Sequence, residues 1–148
     1  MFHLLSPIST TPIQLPKDGK YAFPNDKTEN DRMDLQHHVF TLKLEGKLFS
    51  APIPREQTLH RVLDVGTSTR IWTVDFADEN PETEVIGVDL SPIQPKFVLP
   101  NLFFEIDDLE ETWTFDKPFG SIVACMTIQF FEDPSRYFQQ AFENLRLG

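Results

Sequence analysis

An α/β fold built on a parallel sheet is the fold class this sequence predicts, and three observations within residues 61–90 predict it. Val62, Leu63 and Val65 form a short apolar run, as in a strand buried on both faces. Gly66 follows at once, and Thr67, Ser68 and Thr69 are each able to cap a helix that starts near Arg70. A second apolar run, Val85, Ile86 and Val88, comes after that helix and ends on Asp89. Strand, tight turn, helix and strand make one βαβ unit, and such units take ligands beyond the carboxyl ends of their strands.

The remaining elements follow in chain order. Residues 1–20 contain Pro7, Pro12 and Pro16 and read as a loose arm or a segment packed on a neighbour. Asp26, followed three residues later by Glu29, is a capping box for a helix over about Lys27 to Leu44, ahead of Gly46. Met33, His37, Phe40 and Leu44 fall on one stripe of it. Leu48 to Pro54 is a linker that delivers the chain to a first strand near His60 to Val65. The helix after Gly66 is expected to stop at Asn80-Pro81, because proline disfavours helix in the residue before it. SPIQPKFVLP, residues 91–100, is too proline-rich for a regular helix and reads as an extended loop. Leu102 to Ile106 is the third strand, followed by Asp107 and Asp108. Trp113 to Phe115 is expected against the sheet edge, and Phe119 to Met126 is the fourth strand. Pro134 opens a last helix to Leu145, with Tyr137, Phe138, Ala141 and Leu145 as its apolar side.

Composition narrows the function. With 148 residues, 40% of them hydrophobic, the chain suits one core. The net charge of −10 lies wholly in residues 61–148, which hold 6 basic and 16 acidic side chains, while residues 1–60 balance at 7 and 7. An acidic half of this kind argues against nucleic acid, whose phosphates need clustered Lys and Arg. Solubility explains it most simply, and it also suits a cationic ligand. A single cysteine, Cys125, allows no disulfide within one chain and fits the cytosol or nucleus. The start, MFHLLSPIST, lacks the charge and length of a signal peptide, and no stretch is long and apolar enough to span a membrane.

Asp89 stands about 20 residues past the glycine turn, where such folds bind ribose hydroxyls through a carboxylate. The dinucleotide fingerprint G-x-G-x-x-G is broken, with Ser68 at the second glycine and Ile71 at the third. That disfavours a pyrophosphate cofactor and a NAD-dependent oxidoreductase. Neither G-x-S-x-G nor H-E-x-x-H occurs.

Three stretches, YAFPNDKTENDRMDLQHHVF, RVLDVGTSTRIWTVDFADENP and VIGVDLSPIQPKFVLPNLFFEIDDLEETWTF, resemble class I S-adenosylmethionine-dependent methyltransferases, and more narrowly the fungal LaeA-like group. The resemblance runs from about Tyr21 to the last residue. It implies a Rossmann-like sheet of which this chain carries the N-terminal half, in strand order 3-2-1-4, with a leading helix. It divides the chain into a flexible arm (1–20), an N-terminal helical cap and linker (21–58) and a partial methyltransferase domain (59–148). It implies S-adenosyl-L-methionine as cofactor, held by Asp64, Gly66, Thr67, Asp89, Leu90, Asp107 and Asp108. Asp64 and Gly66 would shape the turn, Asp89 take the ribose, and Asp107 or Asp108 the adenine amino group. Tyr21, Asp34 or His37 of the leading helix would line the same pocket, or the helix would simply pack on the sheet. No catalytic residue is assigned.

The family turn reads G-T-G-T-G-I-W, and here it reads G-T-S-T-R-I-W, so two glycines are replaced. Arg70 would either face solvent or the cofactor carboxylate, or fill the pocket by pairing with Asp64 or Asp89. Gly120 and Ser121 stand where relatives place an aspartate at the start of strand four. Family sheets have seven strands, so strand four is expected as an exposed apolar edge, in a fragment or against a partner. The partners implied are a small-molecule or protein methyl acceptor, and a velvet-type regulator or a second copy through that edge. The implied place is cytoplasm or nucleus, and the implied process is fungal secondary metabolism. A catalytically dead methyltransferase fold that acts by binding partners is the second reading.

Overall fold

A computed structural model describes residues 27–51, 59–91 and 99–146. Helix α1 spans Lys27–Lys43, β1 Arg61–Val65, α2 Ile71–Glu79, β2 Glu84–Asp89, β3 Leu102–Ile106, β4 Ser121–Val123 and α3 Pro134–Glu143. A single 3-10 turn, Ile128–Phe130, lies between β4 and α3. The four strands are all parallel and ordered β3-β2-β1-β4. This is the Rossmann-like α/β arrangement, in the strand order expected. The arm, Tyr21, the Asp26 end of the capping box, the last three residues of the Leu48–Pro54 linker and most of the 91–100 loop lie outside the described residues.

Strand pleating divides the core into two layers. Leu63 and Val65 of β1, with Ile86 and Val88 of β2, face one side, where Leu109, Trp113, Phe119, Tyr137 and Ala141 pack on them. Val62, Val85 and Leu102 face the other side, against Phe76 and Ala77 of α2. Asp64 shares the pleat of Val62 and therefore points to the α2 side, a fact the site depends on.

The structure corrects four expectations of detail. Trp113 is in the core against a sheet face, not at the edge: its indole is 5.9 Å from the Tyr137 ring and donates to Leu109 O. In α3, Phe138 is 56% exposed, and Gln140 is buried on the core side. Gln140 accepts from Trp113 N–H and donates to Glu111 O, so a polar residue occupies that face because it satisfies two backbone groups. The N-terminal cap of α2 is Arg70 without a side-chain cap bond, since the helix starts at Ile71 and leaves Thr67, Ser68 and Thr69 in the turn before it. Strand β4 is only three residues long. Its preceding Phe119 pairs with Leu145 in a parallel bridge, through Phe119 N–H to Asn144 O and Arg146 N–H to Phe119 O, both 2.8 Å. The chain after α3 thus pairs with the residue leading into β4, and Ser121–Val123 pair only with β1.

Helix α1 lies apart from both core layers and buries none of its residues. Two contacts tether it and the segment after it to α2. Trp72 Nε1–H donates to Leu48 O at 2.7 Å, and His37 Nε2 is 3.4 Å from Asp75 Oδ2.

Candidate functional site

The carboxyl ends of β1, β2 and β4 converge on Gly66. The chain reverses there with φ of +71°, which a side chain rarely adopts. Gly66 N–H and Thr67 N–H both donate to Val88 O, at 2.8 and 3.3 Å, binding the turn to β2. A Cβ at Gly66 would run into the Thr127 side chain, itself anchored to Val65 O at 3.1 Å. The turn is therefore bare backbone pressed between β2 and the segment after β4.

Two cavities meet at this turn. The smaller, about 70 Å³, is lined by Gly66, Asp89, Leu90, Asp107, Asp108 and Leu109, with Thr127, Phe130 and Phe131 closing it. The larger, about 290 Å³, is floored by Asp64, Gly66, Thr67 and Ser68 and roofed by Met33, His37, Phe40 and Leu44 of α1. Gly66 lines both. Of the seven expected site residues, Asp89, Leu90, Asp107 and Asp108 fall in the smaller cavity, Asp64 and Thr67 in the larger, and Gly66 in each. Of the residues expected from the leading helix, His37 lines the larger cavity, Asp34 is exposed away from it, and Tyr21 is outside the described residues.

Asp89 is held by backbone amides on both sides. Its Oδ2 accepts from Ser68 N–H at 2.9 Å and its Oδ1 from Ser91 N–H at 2.8 Å. A carboxylate has roughly four acceptor positions, so one remains on each oxygen for a pair of hydroxyls on a ligand. Asp107 Oδ1 accepts from Asp108 N–H, and Asp108 Oδ1 accepts from Glu110 N–H, which fixes both carboxylates at the same cavity. Geometry does not choose between them.

Asp64 is a different kind of residue. It is 4% exposed and accepts from the Thr73 hydroxyl of α2 at 2.5 Å. Burial pushes its carboxyl up to about 7, the Thr73 bond opposes that rise, and the negative charge of Asp89 adds to it. It shapes the turn from beneath, and near neutrality it is able to hold or release a proton.

Both residues that replace family glycines keep left-handed backbone, Ser68 at φ 48° and Arg70 at φ 65°. The Arg70 side chain lines neither cavity. Its guanidinium reaches toward β3, 5.9 Å from the centre of the Phe104 ring. Burial lowers its pKa, and the attraction of Asp89 opposes the shift. Arginine at this position therefore leaves the larger cavity open.

Sequence reasoning missed the wall that follows β4: Cys125 and Met126 on the larger cavity, Phe130 and Phe131 on the smaller, and Thr127 against Gly66. The rule that ligands sit beyond strand ends pointed to this segment. No local pattern marks which of its side chains turn inward.

Residues 35–148 match the family model described as a methyltransferase domain. The chain is 40% identical over 132 residues to Methyltransferase pytC of Aspergillus terreus, covering 88% of this chain and 40% of that protein. It is 37% identical over 136 residues to Secondary metabolism regulator LAE1 of Cochliobolus heterostrophus, covering 88% of this chain and 43% of that one. The chain thus spans less than half the length of these curated relatives. Among solved structures, the plantazolicin methyltransferase BpumL, in complex with a pentazolic desmethylPZN analog and SAH, superposes with a TM-score of 0.65 at 18% identity, covering 86% of this chain and 51% of BpumL. That likeness is one of fold.

Proposed function

The chain belongs to the methyltransferase-domain family, and on that premise we propose that it binds S-adenosylmethionine across Gly66 and serves methyl transfer. The observation that carries this reading is the pair of cavities joined at a side-chain-free turn, with the two open acceptor positions of Asp89 on one side of it. The nucleoside end is assigned to the smaller cavity, along its open side. There Asp89 takes the ribose hydroxyls, Asp107 or Asp108 takes the adenine amino group, and Leu90 and Leu109 supply apolar contact. The methionine end fits the floor of the larger cavity, over Gly66 and Thr67, with Asp64 beneath.

When bound, the cofactor supplies a methyl group already activated on a sulfonium. The protein's share is alignment and exclusion of water, which explains why no catalytic triad is needed. The roof of α1 over the larger cavity performs the exclusion. Relationship to a secondary metabolism regulator supports a role in fungal secondary metabolism; cytoplasm or nucleus as its place and a velvet-type regulator as its protein partner are proposed from the sequence resemblance alone.

Titration calorimetry of the chain with S-adenosylhomocysteine tests the reading. Micromolar binding is expected, weakened about 10-fold or more in Asp89→Ala, the loss of charge-assisted hydrogen bonds. A folded chain that does not bind would turn the reading toward a partner-binding methyltransferase fold.

A further inference from the structure

The larger cavity holds a histidine that cofactor binding does not use. We propose that His37 is the proton acceptor of the methyl-transfer step, oriented by Asp75, and that the acceptor substrate is an apolar, flat molecule carrying a weakly acidic hydroxyl. The inference rests on the proposed cofactor site and adds the substrate class to it.

Three observations support it. His37 is on the cavity face of α1, one turn from Met33 and one turn from Thr41, and its side chain is 19% exposed. Its Nε2 lies 3.4 Å from Asp75 Oδ2 on α2. The same nitrogen lies 3.5 Å from the Thr41 hydroxyl, so a carboxylate and a hydroxyl flank one edge of the ring, the logic of an oriented base. The surrounding wall is mainly apolar and aromatic, with Met33, Phe40, Leu44, Trp72 and Met126. Such a wall suits a ring system and supplies few polar partners for a charged acceptor. Among the described residues, the titratable and charged groups around this cavity besides His37 are Asp75 from α2, Asp64 from β1, Lys47 beyond α1 and Cys125 beyond β4.

The step balances as follows. The acceptor hydroxyl gives its proton to the His37 imidazole while its oxygen lone pair forms the new O–CH₃ bond. The electron pair of the S–CH₃ bond returns to sulfur. The products are a methyl ether, S-adenosylhomocysteine and a protonated imidazole, which passes its proton to water.

The experiment uses 4-nitrophenol, whose phenolate absorbs in the visible, added to the chain loaded with S-adenosylhomocysteine. Binding next to a base that takes its proton moves the phenol's titration midpoint to lower pH, by about one unit, as expected for an opposite charge within contact range. His37→Gln, on a helix that buries nothing, is expected to bind 4-nitrophenol without that displacement, and Asp75→Asn to show a smaller one. Binding with an unmoved midpoint, or an equal displacement in His37→Gln, overturns the role of His37. A chain that takes S-adenosylhomocysteine but no 4-nitrophenol overturns the substrate class. Failure to take S-adenosylhomocysteine removes the cofactor reading and this inference with it.

Discussion

Replacing Asp64 with asparagine is expected to change how stability depends on pH, and the structure sets both sign and size. Asp64 is raised from 3.8 to about 7 by burial between β1 and α2. Between those values the folded protein keeps a proton that the unfolded chain has lost. Stability therefore falls as pH rises through this window, and the loss is complete just above 7. At roughly 1.4 kcal/mol per unit, the full penalty is on the order of 4 kcal/mol, and more than half of it develops between pH 5 and pH 8. Asparagine keeps the shape and an oxygen for the Thr73 hydroxyl but does not ionise. The assay is urea unfolding of both proteins at pH 5 and pH 8, followed by fluorescence of Trp72 and Trp113. Subtracting the variant removes the titration of most other groups, Glu105 among them, which burial also raises. The natural chain should lose about 2–3 kcal/mol relative to Asp64→Asn over that interval. A difference that stays constant within a few tenths of a kcal/mol would show that Asp64 ionises normally, and its burial against Thr73 would then not control its charge.

Two further expectations concern the turn. Ser68→Gly and Arg70→Gly should each stabilise the fold by about 0.5–1 kcal/mol, because a left-handed residue with a side chain costs roughly 1–2 kcal/mol and glycine returns part of that gain as unfolded-state entropy. Thermal melts read this directly, and a lowered Tm in both variants would contradict the backbone geometry. Gly66→Ala should lose at least about 2 kcal/mol, from positive φ together with collision against Thr127, and should abolish S-adenosylhomocysteine binding in calorimetry. Wild-type affinity in that variant would mean the cofactor does not cross this turn.

Much of the fold was legible because local chemistry specifies it. The run Val62, Leu63 and Val65, interrupted only by Asp64, and the run at 85–88 are apolar on both faces of the sheet, as central strands are, and the structure places them side by side and parallel. Asp89 was legible for the same reason, as an acid at the end of a buried strand. The α2 cap was misread because three hydroxyl residues in a row look like capping chemistry, while two left-handed residues set where the helix starts. Phe138 was misread because periodicity does not reveal that Gln140 has two backbone partners waiting on the core side.

The sequence by itself determined the βαβ unit, the strand order implied by its family resemblance and the acids at the strand ends, since each depends on neighbours within a few residues or on a motif. Only the tertiary structure decided that Gly66 joins two cavities, that Arg70 turns toward Phe104, that the segment after β4 walls the site, and that His37 meets Asp75 across α1 and α2. The physical reason is separation along the chain. Thr127 is held against Val65 from 62 residues away, and Asp75 lies 38 residues beyond His37. Contacts of that range are made by packing layers together, and no local pattern of side chains encodes which of them will touch.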